Sequence, residues 1–195
     1  MVYSSTRYLT TVGILSAIAV ILMLFEVPIP MMPSFLKLDA SELPAILGAF
    51  LLGPMAGVFI ELIKNILHLG SSTTMGIGEM ANFLVGVSFV IPAGYFYRKN
   101  SNRKGAILAL IIATFAMMIA ASLLNYVVLI PLYQTVLHFP LDQMIALGTV
   151  ANPHIIDLKS FITMAIAPFN MIKGIIISVF TLMIYKKVFT VLREG

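Results

Sequence analysis

Residues 43–69 read LPAILGAFLLGPMAGVFIELIKNILHL, and whether this run crosses a bilayer once or twice decides the topology of the chain. Gly53-Pro54 stands in its middle, a pair that marks turns and helix breaks. Read as one span, the run puts Arg98, Lys99, Arg103, Lys104 and the C-terminal Lys186, Lys187 and Arg193 on the side opposite Arg7. Read as two short helices, it brings all eight of these cations to one side, as the positive-inside rule expects. The second reading is adopted. It predicts an all-α integral membrane protein of six transmembrane helices with both termini cytoplasmic.

Composition agrees with a membrane protein. The 195 residues are 60% hydrophobic and 10% charged, with a mean hydropathy of +1.04, which no soluble domain of this size approaches. There is no Cys, which excludes disulfides, thiolate metal sites and a thiol nucleophile. The first apolar run follows Arg7 and has no small-residue cleavage site before Glu26, so it is read as a retained span rather than a signal peptide. The net charge of +4 reflects basic membrane edges rather than a nucleic-acid partner.

One membrane domain over 1–195 is expected, with helices at about 9–25, 43–53, 54–69, 79–98, 105–134 and 159–187. The halves 43–53 and 54–69 are short and need longer neighbours or a locally thin bilayer around them. Lys37, Lys159 and the acidic Glu26, Asp39, Glu42, Glu79, Asp142 and Asp157 then fall outside.

The last span carries Pro168-Phe169-Asn170-Met171-Ile172-Lys173-Gly174. Asn170 and Lys173 are three apart and share a helix face, while Pro168 removes a backbone donor just before them. A lysine and an amide in such a run belong to the bundle interior or a cavity, and their default reading is a binding site. The simpler reading is that Lys173 pairs with a neighbouring carboxylate. Asn125 lies roughly 14 Å below the end of its helix at Gln134, and Asn170 roughly 16 Å below Lys159, at 1.5 Å per residue. The two amides therefore sit at matched depth, with Lys173 about one turn deeper.

Elsewhere, Gly13 and Ala17 form a small-xxx-small pair on the first helix, suited to a helix partner or to packing within the chain. The loop 27–39 holds Pro28, Pro30 and Pro33 among apolar residues and suits a cap or a lid, with Ser41, Glu42 and Pro44 opening the next helix. Glu61, Lys64, Asn65 and His68 share one face, where Glu61 and Lys64 read as an ion pair and His68 as solvated. Residues 70–78 read as a flexible connection, leading to Glu79 and Asn82 on one face of the fourth helix. The segment 135–157 is long for a connection, and His138 and His154 within it read as solvent-exposed.

No internal repeat, P-loop, H-E-x-x-H or G-x-S-x-G is present, and the histidines and acids show no metal-ligand spacing. Neither an enzyme nor a cofactor or metal protein is expected. Two amides, one cation and apolar walls suit a flat, partly apolar, hydrogen-bonding small molecule. The residues by themselves stop at a small-ligand membrane receptor or transporter.

The segment Phe35-Leu36-Lys37-Leu38-Asp39-Ala40-Ser41-Glu42-Leu43-Pro44-Ala45 is similar to the first loop and second helix of riboflavin-specific substrate-binding (S) components of energy-coupling factor (ECF) transporters. Gly53-Pro54 with Gly57, Glu61, Lys64 and Asn65, Asn125-Tyr126 with Pro131, and the Pro168–Gly174 stretch continue that resemblance, which covers the chain outside 135–157. It implies a six-helix protein of a prokaryotic plasma membrane that captures riboflavin from outside. The vitamin would pass inward with a transmembrane coupling subunit (EcfT) and two cytoplasmic ATPase subunits. Carried onto this chain, it implies that Asn125, Asn170 and Lys173 hydrogen-bond the vitamin and that Leu38, Asp39 and Ala40 lie in a covering loop. Glu79 and Asn82 would contribute from the fourth helix, and Gly13 and Ala17 would dock the coupling subunit. Ala40 stands where a bulkier, often aromatic, residue is expected, so it brings no ring to stack on the flavin. The alternatives are an S component for a related ligand such as flavin mononucleotide, and an ion-coupled secondary transporter built on Glu61 and Lys64.

Overall fold

A computed structural model of the chain describes residues 5–28 and 36–194. Pro30, Pro33 and Phe35, part of the expected apolar lid, lie outside the described residues.

Gly53 separates α2 (Glu42–Leu52) from α3 (Pro54–His68) with a φ of 110°, a conformation L side chains avoid. Pro54 then occupies the first position of α3, where its missing N–H costs nothing. Before them run α1 (Ser5–Met23) and a two-residue antiparallel ladder pairing Val27 with Leu38 and Pro28 with Lys37. After them come α4 (Ile77–Lys99), α5 (Arg103–Leu124), α6 (Ile130–Val136), α7 (Leu141–Ala151), α8 (Leu158–Phe161) and α9 (Ala167–Glu194).

Two wide π turns, Asn125–Leu129 and Ile162–Ile166, join α5 to α6 and α8 to α9 into continuous rods. Each ends two residues before a proline, Pro131 or Pro168. A proline cannot bond the carbonyl four residues back and its ring crowds that carbonyl, here Val127 or Met164. Both carbonyls lie inside the π turns, so widening the turn absorbs the crowding without breaking the rod.

Among the described residues, Thr6–Met23, Ile77–Lys99, Arg103–Val136 and Leu158–Thr190 are long and apolar enough to cross a membrane, while α2 and α3 are shorter. The chain is an all-α membrane protein. Its outward faces are apolar, as with Ile14, Ile111, Phe115 and Phe180, which suits lipid rather than water. The last helix, expected to stop near 187, continues to Glu194. The segment 135–157, long for a connection and expected as a lid or a partly ordered excursion, contains α7, anchored by buried Met144 and Gly148.

The chain alternates between two ends of the bundle: a terminal end, where α1 starts and α9 stops, and a loop end, where the Val27–Leu38 ladder lies. One apolar core, including Phe50, Phe89, Tyr97, Met117, Ile177 and Tyr185, fills the terminal half. A second, including Ile130, Met144, Ile155, Phe161 and Ile166, joins α7 to the α5–α6 and α8–α9 rods at the loop end. Along α9, Lys173 falls between Ile166 of the second core and Ile177 of the first.

Candidate functional site

Buried polar groups occupy the gap between the cores. The Lys173 ammonium lies 3.0 Å from Asp39 Oδ2 and 2.7 Å from Glu42 Oε1. Glu42 also faces Lys64 at 3.5 Å, and Lys64 pairs with Glu61 at 3.0 Å while donating to Ser41 Oγ at 2.7 Å. All five charged side chains are buried. Burying ions is costly unless they neutralise one another, and three carboxylates here surround two ammonium groups. Asp39 and Glu42, expected among the external charges, are drawn inside because the two lysines leave no cheaper place for their own charge. Outside the helices, burial works against the Asp39 charge, yet Lys173, Lys64 and the Ser41 hydrogen bonds outweigh it and hold the carboxyl below the usual range.

This cluster locks the first loop to α2, α3 and α9. It extends to α4 in two ways. Asn65 donates to Asn82 Oδ1 at 3.3 Å. Glu61 lies against Gly86, where any side chain would collide with its carboxylate.

Above the cluster, toward the loop end, opens a cavity of about 650 Å³. Asp39, Glu79, Asn82, Asn125, Asn170 and Lys173 all line it. Its walls are apolar, with Phe139, Phe161 and Phe169 among them, and Met144 of α7 adds to them. Asn125 donates to the Ala121 carbonyl at 2.8 Å and Asn170 to the Ile166 carbonyl at 2.9 Å, each four residues back. Each amide thereby spends one N–H on its own helix and keeps an oxygen and a second N–H for a guest. Leu38 and Ala40 do not line the cavity: Leu38 pairs with Val27 in the ladder, and Ala40 lies beside it in the turn leading to α2.

The loop after α3 is a hydrogen-bonded structure rather than a slack connection. Ser72 Oγ donates to Glu79 Oε2 at 2.7 Å and accepts from the Gly76 N–H at 3.0 Å. Thr74 Oγ1 accepts from the Gly78 N–H at 2.9 Å. His68, expected in solvent, has its Nδ1 3.0 Å from Glu79 Oε1 and lines the cavity. Its distance of eleven residues from Glu79 hid the pairing, because only the intervening 3₁₀ turn Leu69–Ser71 folds one back on the other. Glu42 was also missed as a site residue; its place three residues after Asp39 was the available signal. His138 and His154 are solvent-exposed. Gly13 and Ala17 face outward, and a Cβ at Gly13 would meet nothing within 4 Å, so packing within the chain is not their role.

The arrangement is suited to binding, not to bond-making. The cavity offers amide oxygens and N–H groups around an apolar chamber, and on its floor Asp39 and Glu42 pair with Lys173 while Glu42 Oε2 has no hydrogen-bond partner among the described residues. Among the described residues no group of His, Asp and Glu could hold a metal ion.

The family model for the ECF transporter substrate-specific component matches residues 7–185. The chain is 40% identical over 184 residues to the riboflavin transporter FmnP of Bacillus subtilis, covering 93% of this chain and 91% of that protein. It is 40% identical over 188 residues to the riboflavin transporter RibU of Staphylococcus aureus, covering 96% and 93%. A solved structure described as "Structure and mechanism of the S component of a bacterial ECF transporter" superposes with a TM-score of 0.77 at 36% identity, covering 97% of this chain and 99% of that one.

Proposed function

The chain belongs to the substrate-specific components of ECF transporters, and from that membership we propose that it captures riboflavin for uptake across the plasma membrane of a prokaryote. The observation that carries the ligand is the convergence of Asn125 and Asn170, from two separate rods, on one cavity with aromatic walls. Its volume of about 650 Å³ falls within the roughly 300–1,000 Å³ usual for small-molecule sites. The isoalloxazine ring lies among Phe139, Phe161 and Phe169, and the two amides with Glu79 and Asn82 read its polar edge and ribityl hydroxyls. Asp39 and Lys173 form the floor, and Leu38 and Ala40 belong to the covering loop without touching the ring.

In this reading the one domain spans the membrane six times, with α2 and α3 as a pair of short helices shielded by longer neighbours. Both termini and the eight basic residues that flank the spans are cytoplasmic, following the positive-inside rule. The outward Gly13–Ala17 face of α1 docks the transmembrane coupling subunit, to which two cytoplasmic ATPase subunits supply energy. The binding step makes and breaks no covalent bond. A secondary transporter driven through Glu61 and Lys64 is disfavoured, because both side chains are fully buried and paired with each other, and Lys64 also donates to Ser41.

Absorption of the purified protein, followed by quenching of added riboflavin fluorescence, tests the ligand. A yellow preparation that quenches near one equivalent is the expected result. A folded, colourless protein that quenches nothing refutes riboflavin as the ligand.

A further inference from the structure

A second cavity lies at the opposite, terminal end. Because α2 and α3 turn back at Gly53, they reach less far than the rods beside them. The 11 residues of α2 and 23 of α4 correspond to roughly 16 Å and roughly 34 Å of helix at 1.5 Å per residue. Beneath the turn a recess of about 880 Å³ remains, walled by the ends of α4 and α9 and by the loop into α5.

Its floor is aromatic. Phe50 and Tyr97 stack with ring centroids 4.0 Å apart, and Tyr185 stands edge-on to both at 6.2 Å. Its rim carries Arg98, Arg103 and Lys186, and among the described residues no carboxylate lines it. Among the described residues no Asp or Glu forms an ion pair with these three cations. The Arg98 guanidinium lies over the turn itself, 2.9 Å from where a Cβ on Gly53 would stand. Tyr185 is 3% exposed, and its hydroxyl has no hydrogen-bond partner among the described residues. A buried hydroxyl left without a partner is costly, so an acceptor is wanted at this place.

Three positive charges with no carboxylate paired to them among the described residues, a hydroxyl donor and an aromatic floor define a chemistry. We propose that this recess binds a phosphate-bearing headgroup, with Arg98, Arg103 and Lys186 around its oxygens and the Tyr185 O–H donating to one of them. The aromatic floor takes the carbon atoms that adjoin the phosphate. An anionic glycerophospholipid is the favoured source, since Leu51 and Leu52 line the recess beside the turn and Met55, next to Pro54 in sequence, is an apolar side chain 58% exposed. A soluble phosphate ester offers the same headgroup chemistry. The inference stands on the recess alone and does not depend on riboflavin as the ligand of the other cavity.

Native mass spectrometry of the full chain in a non-ionic detergent tests it, with dioctanoyl phosphatidylglycerol, dioctanoyl phosphatidylcholine and glycerol phosphate as probes. One phosphatidylglycerol is expected to be retained in preference to phosphatidylcholine. Retention should fall roughly thirtyfold in an Arg98→Gln/Lys186→Gln variant. It should fall about fivefold in Tyr185→Phe, which keeps the aromatic floor. Size-exclusion elution checks that each variant is folded, and Tyr185→Phe serves alone if the double variant is not. Glycerol phosphate that displaces the lipid at equal concentration assigns the site to a soluble ester. Equal retention of phosphatidylcholine, or retention of phosphatidylglycerol untouched by the substitutions, overturns the proposal.

Discussion

Lys173 on α9 and Asp39 in the first loop, 134 residues apart in the chain, meet at 3.0 Å on the floor of the loop-end cavity. Lys173 also holds Glu42 at 2.7 Å, so one ammonium group fastens the loop and α2 to the last helix. The cavity floor is therefore an ion cluster built from the chain's own side chains.

Lys173→Ala should do more than remove a ligand contact. It leaves Asp39 and Glu42 buried with fewer positive partners, and breaking such a pair costs about 3–5 kcal/mol. Thermal unfolding in detergent should show a large loss of stability, with riboflavin quenching weakened alongside it. An unchanged melting temperature with lost binding would assign Lys173 to the ligand alone.

The amides should behave differently. Asn125→Ala and Asn170→Ala each remove a group that faces the cavity and otherwise bonds only its own helix. Each should weaken riboflavin binding about tenfold or more while costing about 1 kcal/mol of stability or less. Fluorescence titration beside a melting curve reads both. Unaltered affinity in both variants would move the ligand out of this cavity.

Gly86→Ala should destabilise the protein by about 1–3 kcal/mol, since its methyl would strike the Glu61 carboxylate that Lys64 holds in place. Glu61→Ala in the same chain opens space but strips Lys64 of a partner, so it should not restore the wild-type melting temperature. Full restoration would mean that the Glu61–Lys64 pair contributes nothing to stability.

Gly13→Trp and Ala17→Trp should leave riboflavin binding intact and abolish uptake in cells that carry the coupling subunits. Both positions face away from the bundle, and Gly13 has no neighbour within 4 Å of a Cβ, so the bulk harms only an incoming partner. Uptake surviving in both variants would place the docking surface elsewhere.

Much of the site was legible as residue types at matched depth. Asn125 and Asn170 could be paired from helix lengths alone, because a rod of known rise converts residue number into height. Glu61 and Lys64 were readable for a similar reason, being three apart on one face. What could not be read was any partnership between elements that are far apart in the chain. His68 with Glu79, Lys173 with Asp39, and Glu42 between two lysines all depend on how helices pack, and helical periodicity carries no information about that.

Composition and charge placement by themselves determined an all-α membrane protein with a break at Gly53-Pro54. Apolar length and glycine and proline stereochemistry act locally, within a few residues. Only the tertiary structure decided that Asp39 and Glu42 lie inside rather than in water. A buried charge is tolerable only beside an opposite one, and which charges meet is set by the packing of α2, α3 and α9 rather than by any stretch of sequence.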